Sequence, residues 1–571
     1  MAEHDLVVRG GSVVDGNGGP AVTADVAVVG DRIVEVGRVS GTGRREIAAD
    51  GAVVAPGFVD IHTHYDGQAT WESRLQPSSW HGVTTVVAGN CGVGFAPALP
   101  GHRDRLIDLM EGVEDIPGIA LHEGLPWSWQ SFAEYLDVLD ARRYDIDLAT
   151  QVPHAALRVH AMGERAAAHE EATADEVVRM AELAAEGIRA GALGFSTSRT
   201  LNHKSITGEL TPSYGLGADE LVAIARAVGS TGTGVLQLVS DFPEPAEEFA
   251  LIRAMAAESG RPVSFSLTQF PRDLDRHRML LGLVDRAWAE GLRIRAQVAA
   301  RAVGLILGLD NTLHPFMTNP VWRTLADLAP VEQAARMREP ELRARILAAH
   351  TGERDRSRLG GALIQRFDAM FELADPPDYE PPRVAAISER AARAGVPAVE
   401  LAYDIVAAGG MLYLPSLNFA EGNLDVVHEL LSDEHAVPGL SDGGAHVGTI
   451  CDGSFPTTLL QYWTRDRDGA RLELPYVIRR QARDTARAVG LLDRGVLAPG
   501  HRADLNVIEM DALRLHRPEV HADLPAGGRR MQQRADGYRH TVVAGQETYT
   551  DGVATDALPG RLIRGARPAP R

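Results

Sequence analysis

The run "ADEVVRMAELAAEGIRAGALGFSTS", residues 174–198, decides the fold class. Up to Arg189 its apolar residues recur at helical spacing among Ala, Glu and Arg, and Gly191 is a suitable helix stop. Beyond it, "ALGFSTS" (192–198) is short, apolar and bounded by polar residues, as a strand should be. The same pairing of helix and strand recurs in "ADELVAIARAVG" (218–229) followed by "GVLQLVS" (234–240). Further strand-like runs are "VTTVVAG" (83–89), "PVSFSLTQ" (262–269), "LRIRAQVA" (292–299), "MLYLPS" (411–416) and "VPGLSDG" (437–443). Strand-helix alternation over this length predicts parallel βα units. So many units favour an α/β fold of the (β/α)8 TIM-like barrel type over an open doubly wound sheet. No G-x-G-x-x-G opens a unit, so a dinucleotide fold loses support.

The chain ends have another texture. Residues 5–56, 495–511 and 538–555 are short β-branched runs broken by Gly, Asp and Asn turns. They predict one small β-sandwich domain built from both ends, residues 1–56 plus 495–571, around a barrel of residues 57–494. Residues 305–400, rich in Pro, Arg and helix formers, interrupt the alternation and predict a helical insertion. After a barrel strand's carboxyl end, such an excursion lies over the active-site face.

The 571 residues are 45% hydrophobic and carry a formal net charge of -20, enough for a large core and the wrong sign for nucleic acid or an anionic membrane as main partner. The sequence shows no signal-peptide pattern and no apolar run of membrane-spanning length, so a cytoplasmic protein acting on a small molecule is expected. Self-association is left open. Two cysteines, Cys91 and Cys451, exclude a disulfide framework. Cys451 reads as a buried small residue.

Chemistry concentrates at predicted strand ends. In "FVDIHTHYDG" (58–67), His62 and His64 stand two apart, which in extended backbone directs both imidazoles to one face. Cys91 follows the next strand in "VVAGNCGVGFAP", and Asp442 follows a late one in "GLSDGGAHVG". Each type has an ordinary explanation alone, as polar surface, small core residue or turn. Together they are the side chains that bind zinc, at about 2.0 to 2.3 Å. Asp60 and Asp66 flank the histidines as outer partners.

"APGFVDIHTHYD" resembles the first metal motif of the amidohydrolase superfamily, and "GNCGVGFAP" is similar to the cysteine motif of its D-aminoacylase (N-acyl-D-amino-acid deacylase) branch. "GALGFSTS", "SDGGAH", "LVVRGGSVVDG" and "GVLAPGHRADLNVI" extend the resemblance over nearly the whole chain. The resemblance implies a zinc amide hydrolase acting on N-acyl (D-)amino acids. His62, His64 and Cys91 would be metal ligands, and Asp442 both ligand and general base. The branch carries a histidine near the end of each of two middle strands for a second metal. Here those stretches read "GVLQLVSDF" and "PVSFSLTQFP", with Gln237 and Gln269 but no histidine. One zinc ion is therefore expected.

For substrate binding, the loop at 196–215 offers Arg199, His203, Lys204 and Tyr214, "QVPHAALRVHAMG" offers His154, Arg158 and His160, and "DGGAHVG" offers His446. Two other readings stand beside the deacylase: hydrolysis of another linear or cyclic amide at a single metal, and a metal-poor binding homologue without catalysis.

Overall fold

The computed structural model describes residues 3–570. At its centre eight strands lie parallel in chain order: Phe58–Asp60, Val83–Ala88, Asp147–Pro153, Gly194–Arg199, Val235–Ser240, Val263–Leu267, Ile294–Val298 and Ala436–Pro438. The first and last are edges of the hydrogen-bonded ladder, and the chain joins them just beyond their carboxyl ends. A parallel bridge pairs Thr63 with Gly443, His64 N–H donates to Gly443 O at 2.8 Å, and Asp442 N–H donates to His62 O at 3.1 Å.

The helix at Ala174–Ala190 shows why the opening stretch folds as it does. Thr173 and Glu176 form a reciprocal capping box, Met180, Leu183, Ala184 and Ile188 bury one face, and Gly191 ends the helix at φ 122°. The next strand then begins at Gly194, where a Cβ would lie 2.4 Å from Val235 O on the neighbouring strand.

Two sequence expectations are corrected. Residues 411–416 are strand, but Leu412–Leu417 pairs antiparallel with Val303–Leu307 and Phe371–Glu372 in a separate three-stranded sheet. The third barrel strand is instead Asp147–Pro153, and it runs directly into the helix His154–Met162, with no Gly between them to mark the boundary. A short apolar run carries no record of its partner, so periodicity does not separate a barrel strand from an insertion strand.

The insertion begins immediately after the seventh barrel strand and is wider than 305–400. It adds the three-stranded sheet to helices Pro330–Met337, Pro340–Ala348, Ile387–Ala394 and Ala398–Ala407. These enclose a core of their own, including Leu307, Phe316, Met337, Ile346 and Tyr403.

Strands from both chain ends share a nine-stranded sheet, joined where Val53–Pro56 pairs antiparallel with Leu505–Ile508. The last residues leave this sheet: Gly560 bridges to Tyr144 and Leu562 to Leu148 on the barrel. Among the described residues no helix is long and apolar enough to cross a membrane.

A buried charge network ties this sheet to the barrel. Arg494 donates to Asp147 Oδ2 at 2.8 Å and to Thr85 Oγ1 at 2.9 Å. Arg502 reaches the same carboxylate at 2.8 Å and Asp504 at 3.4 Å. Removing one partner of such a group leaves buried carboxylates uncompensated. Arg494→Met is expected to destabilise the fold by about 3–5 kcal/mol, read as a lower denaturant midpoint; an unchanged midpoint would show that the network contributes nothing.

Candidate metal centre

The ligand atoms of His62, His64 and Cys91 lie within 4.8 Å of one another, and all three residues are buried. His62 Nε2 is 3.2 Å from Cys91 Sγ. Asp442 Oδ1 is 3.4 Å from His62 Nε2 and 3.7 Å from His64 Nε2. The four residues assigned from sequence to the metal therefore meet at the carboxyl end of the barrel.

Gln297, on the seventh strand, determines which nitrogen of His62 is available. Its Oε1 lies 2.6 Å from His62 Nδ1 while its Nε2 donates to Ser264 Oγ at 2.9 Å. An amide oxygen only accepts, so His62 Nδ1 carries the proton and Nε2 presents its lone pair to the cluster. Asp60, expected beside the rings, serves the backbone instead: it accepts from His62 N–H at 3.2 Å and from Ser441 Oγ at 2.5 Å. Asp66 accepts from Gly89 N–H at 3.2 Å.

Cys91, Asp442 and His446 all adopt left-handed backbone, with φ of 55°, 49° and 49°. Non-glycine residues held there store strain that the surrounding structure must hold in place. For Cys91 the clamp is Gln237, whose Oε1 accepts the Cys91 N–H at 2.9 Å. Gln269 is engaged with the insertion: its N–H donates to Asn418 Oδ1 at 2.7 Å. Where the resemblance calls for histidine ligands, the Gln237 side chain thus braces the Cys91 backbone, while the backbone of Gln269 is itself held by the Asn418 side chain.

Burial sets the charge states. It lowers His62 to about 4 and holds His64 well below the ordinary imidazole range, so both rings are neutral at pH 7, as metal ligands must be. It raises Asp442 to about 7 and the Cys91 thiol well above its usual value. A bound cation reverses that cost, because it stabilises thiolate and carboxylate directly. The donor set, with two neutral nitrogens, a thiol and a carboxyl group, fits a zinc ion.

One buried group escaped the sequence reading. Glu114 ends the helix Arg103–Glu114, and its Oε1 is 3.2 Å from His64 Nδ1 while Oε2 is 3.5 Å from His446 Nε2. Burial raises its pKa well above the usual carboxylate range, and neighbouring Asp442 and Asp66 add to the effect. The signal was present: Glu114 falls on the buried face with Ile107 and Met110, a charge in an apolar stripe.

The expected substrate residues divide. His203 and His446 stand near the cluster, each with its pKa lowered by burial, to about 3 and about 4; His203 Nδ1 pairs with Ser198 Oγ at 2.8 Å. His154 is committed elsewhere, to Thr197 and Glu220 at 2.8 Å each, and Arg158 pairs with the same Glu220. Arg199 is held by Glu248 and Leu216 O. Lys204 is half-buried and bridges by backbone to Leu210, while Tyr214 N–H donates to Thr211 O at 3.0 Å. His160 is half-buried on the helix that carries His154.

With fold and site defined, the sequence relationships fit. The amidohydrolase family model matches residues 45–549, and the chain belongs to this family. It is 29% identical over 514 residues to N-acyl-D-glutamate deacylase of Alcaligenes xylosoxydans xylosoxydans, covering 89% of this chain and 88% of that one. A D-aminoacylase of the same organism is 37% identical over 194 residues, 34% of this chain and 37% of that one. The fold is shared with an N-acyl-D-glutamate deacylase from Bordetella bronchiseptica solved with zinc and a phosphonate inhibitor. In that case the TM-score is 0.65 at 24% identity, covering 98% and 99% of the two chains.

Two outcomes are expected. Gln297→Leu should weaken zinc affinity by about 10- to 100-fold, measured by chelator competition; unchanged affinity would remove Gln297 from the support of His62. Zinc binding at pH 7 should release protons, because in the ion-free protein burial keeps the Cys91 thiol protonated and leaves Asp442, raised to about 7, protonated in part. Affinity should then rise with pH from about 6 to about 8. A calorimetric heat independent of the buffer's ionisation enthalpy would contradict this.

Proposed function

We propose that the protein is a zinc-dependent deacylase of N-acyl-D-amino acids that uses a single ion. The observation that carries this is the convergence of His62, His64, Cys91 and Asp442 in a buried cluster, with the His62 lone pair aimed inward by Gln297. These four residues would hold the ion. When bound, zinc acts as a Lewis acid that polarises a carbonyl and brings the pKa of water down to about 7.

The remaining chemistry belongs to Asp442. Burial places its carboxyl near pH 7, where it can take a proton from water and return it to the leaving amine. His203 and His446 stand on the loops around the cluster, suited to donate a hydrogen bond to developing oxyanion charge. The single ion is supported by Gln237, whose side-chain oxygen is spent on the Cys91 N–H, and by Gln269, an amide where the resemblance calls for a histidine.

The D-amino-acid part of the proposal follows the whole-length likeness to N-acyl-D-glutamate deacylase. Retention of the Asp442 carboxyl within the cluster favours catalysis over a binding homologue. With the reading go a small-molecule amide as partner and a cytoplasmic location.

Asp442→Asn should keep zinc yet lose about 10²- to 10⁴-fold in turnover of N-acyl-D-amino acids, as removal of a general acid-base group does. Cys91→Ala should lower zinc stoichiometry measured by atomic absorption. Near-normal turnover in the first variant would overturn the role of Asp442, and full zinc in the second would make Cys91 a core residue only.

A further inference from the structure

Glu114 occupies a place that is unfavourable on two counts. It is the last residue of the helix Arg103–Glu114, where a negative charge opposes the helix dipole, and the last turn carries no basic residue to offset it. Its side chain is also buried, and neither carboxyl oxygen has a formed hydrogen bond among the described residues. A buried carboxyl group in that state is destabilising unless it serves a partner.

The backbone nevertheless fixes it there. His446 N–H donates to the Glu114 carbonyl oxygen, and Asp115, the next residue, takes left-handed backbone at φ 54°. The Asp115 carboxyl group accepts from Thr312 Oγ1 at 3.0 Å and from Gly448 N–H at 3.2 Å. The helix end is thereby pinned both to the insertion and to the loop that carries His446.

Two imidazole nitrogens stand against the carboxyl group: His64 Nδ1 at 3.2 Å from Oε1 and His446 Nε2 at 3.5 Å from Oε2. The closer of the two, His64 Nδ1, has no hydrogen-bond partner of its own among the described residues. The other nitrogen of that ring, Nε2, is turned toward Asp442 and the cluster. On the neighbouring ring the arrangement is the same with an amide in place of the carboxyl group: Gln297 Oε1 stands behind His62 Nδ1, and His62 Nε2 faces Cys91. A cation held at His64 Nε2 would leave the ring proton on Nδ1 and make it a stronger donor, and the group placed to accept from it is Glu114.

We propose that Glu114 is the positioning residue of His64: with a metal ion bound, its Oε1 accepts a hydrogen bond from His64 Nδ1–H and fixes the ring with Nε2 toward the ion. The inference rests on the zinc reading above and deepens it, because it gives the second histidine the support that Gln297 gives the first.

The test uses the full-length zinc-loaded protein, with zinc affinity read by chelator competition and the imidazole N–H protons by nuclear magnetic resonance on isotope-labelled histidine. Glu114→Leu should weaken zinc affinity by about 10- to 100-fold. Glu114→Gln should stay within about threefold of the unaltered protein, since an amide oxygen accepts from the same N–H, as Gln297 does at His62. The Nδ1–H resonance of His64, identified by its loss in His64→Gln, should lie downfield in the unaltered protein and move upfield in Glu114→Gln, because a charged acceptor makes the stronger bond. A merely structural role would lower stability without separating the Leu and Gln variants or moving this resonance. Full zinc affinity in Glu114→Leu, equal losses in both variants, or an unmoved resonance overturns the proposal. Should Glu114→Leu fail to fold, the near-isosteric Glu114→Gln and its resonance decide the matter. None of these readouts needs turnover, so the expected shifts in a protein that hydrolyses no N-acyl-D-amino acid would overturn the hydrolase reading and leave Glu114 as the support of a zinc site.

Discussion

The contact on which the centre depends is the seam between the first and last barrel strands. Neither strand extends far enough to pair along its length, so closure falls to the residues just past their ends: His62 O accepts from Asp442 N–H, and Gly443 O accepts from His64 N–H. The backbone groups that close the barrel thus belong to the residues whose side chains form the cluster. Asp442 can reach both imidazoles because its own peptide is bonded to the strand that carries them. Ser441 reinforces the seam by donating to both Asp60 and His62 O.

Burial is the second constraint, and it acts on protonation as much as on packing. Burial keeps His62 and His64 neutral and suits them as ligands, while it opposes ionisation of Asp442, Cys91 and Glu114. The same desolvation therefore prepares half of the donor set and makes the other half dependent on a cation. The left-handed backbone at Cys91 and Asp442 belongs to the same logic, since strain at these positions is held by Gln237 and by the seam.

Much of the site was legible because its signal was local. His62 and His64 share a face by strand periodicity, and Cys91 and Asp442 follow strand-like runs that end in glycine-rich turns. The supporting residues were not legible in the same way. Gln297 sits mid-strand and looks like any polar residue, yet it holds the His62 tautomer from 235 positions away. His154 and Arg199 had the chemistry of substrate ligands and are spent on Glu220 and Glu248. Which partner a long polar side chain finds is a matter of three-dimensional proximity.

By itself the sequence determined the class of barrel, the β texture of both ends, the helical character of the insertion and which four residues to expect together at a candidate metal site. These follow from periodicity, turn chemistry and residue type, which neighbouring residues settle among themselves. Only the tertiary structure decided that Asp147–Pro153 is the third barrel strand while Leu412–Leu417 serves the insertion, that the Gln237 side chain braces the Cys91 backbone, and that Glu114 stands against His64. Each of these depends on contacts between segments far apart in the chain, and a hydrogen bond or buried charge has no meaning until its partner is in place.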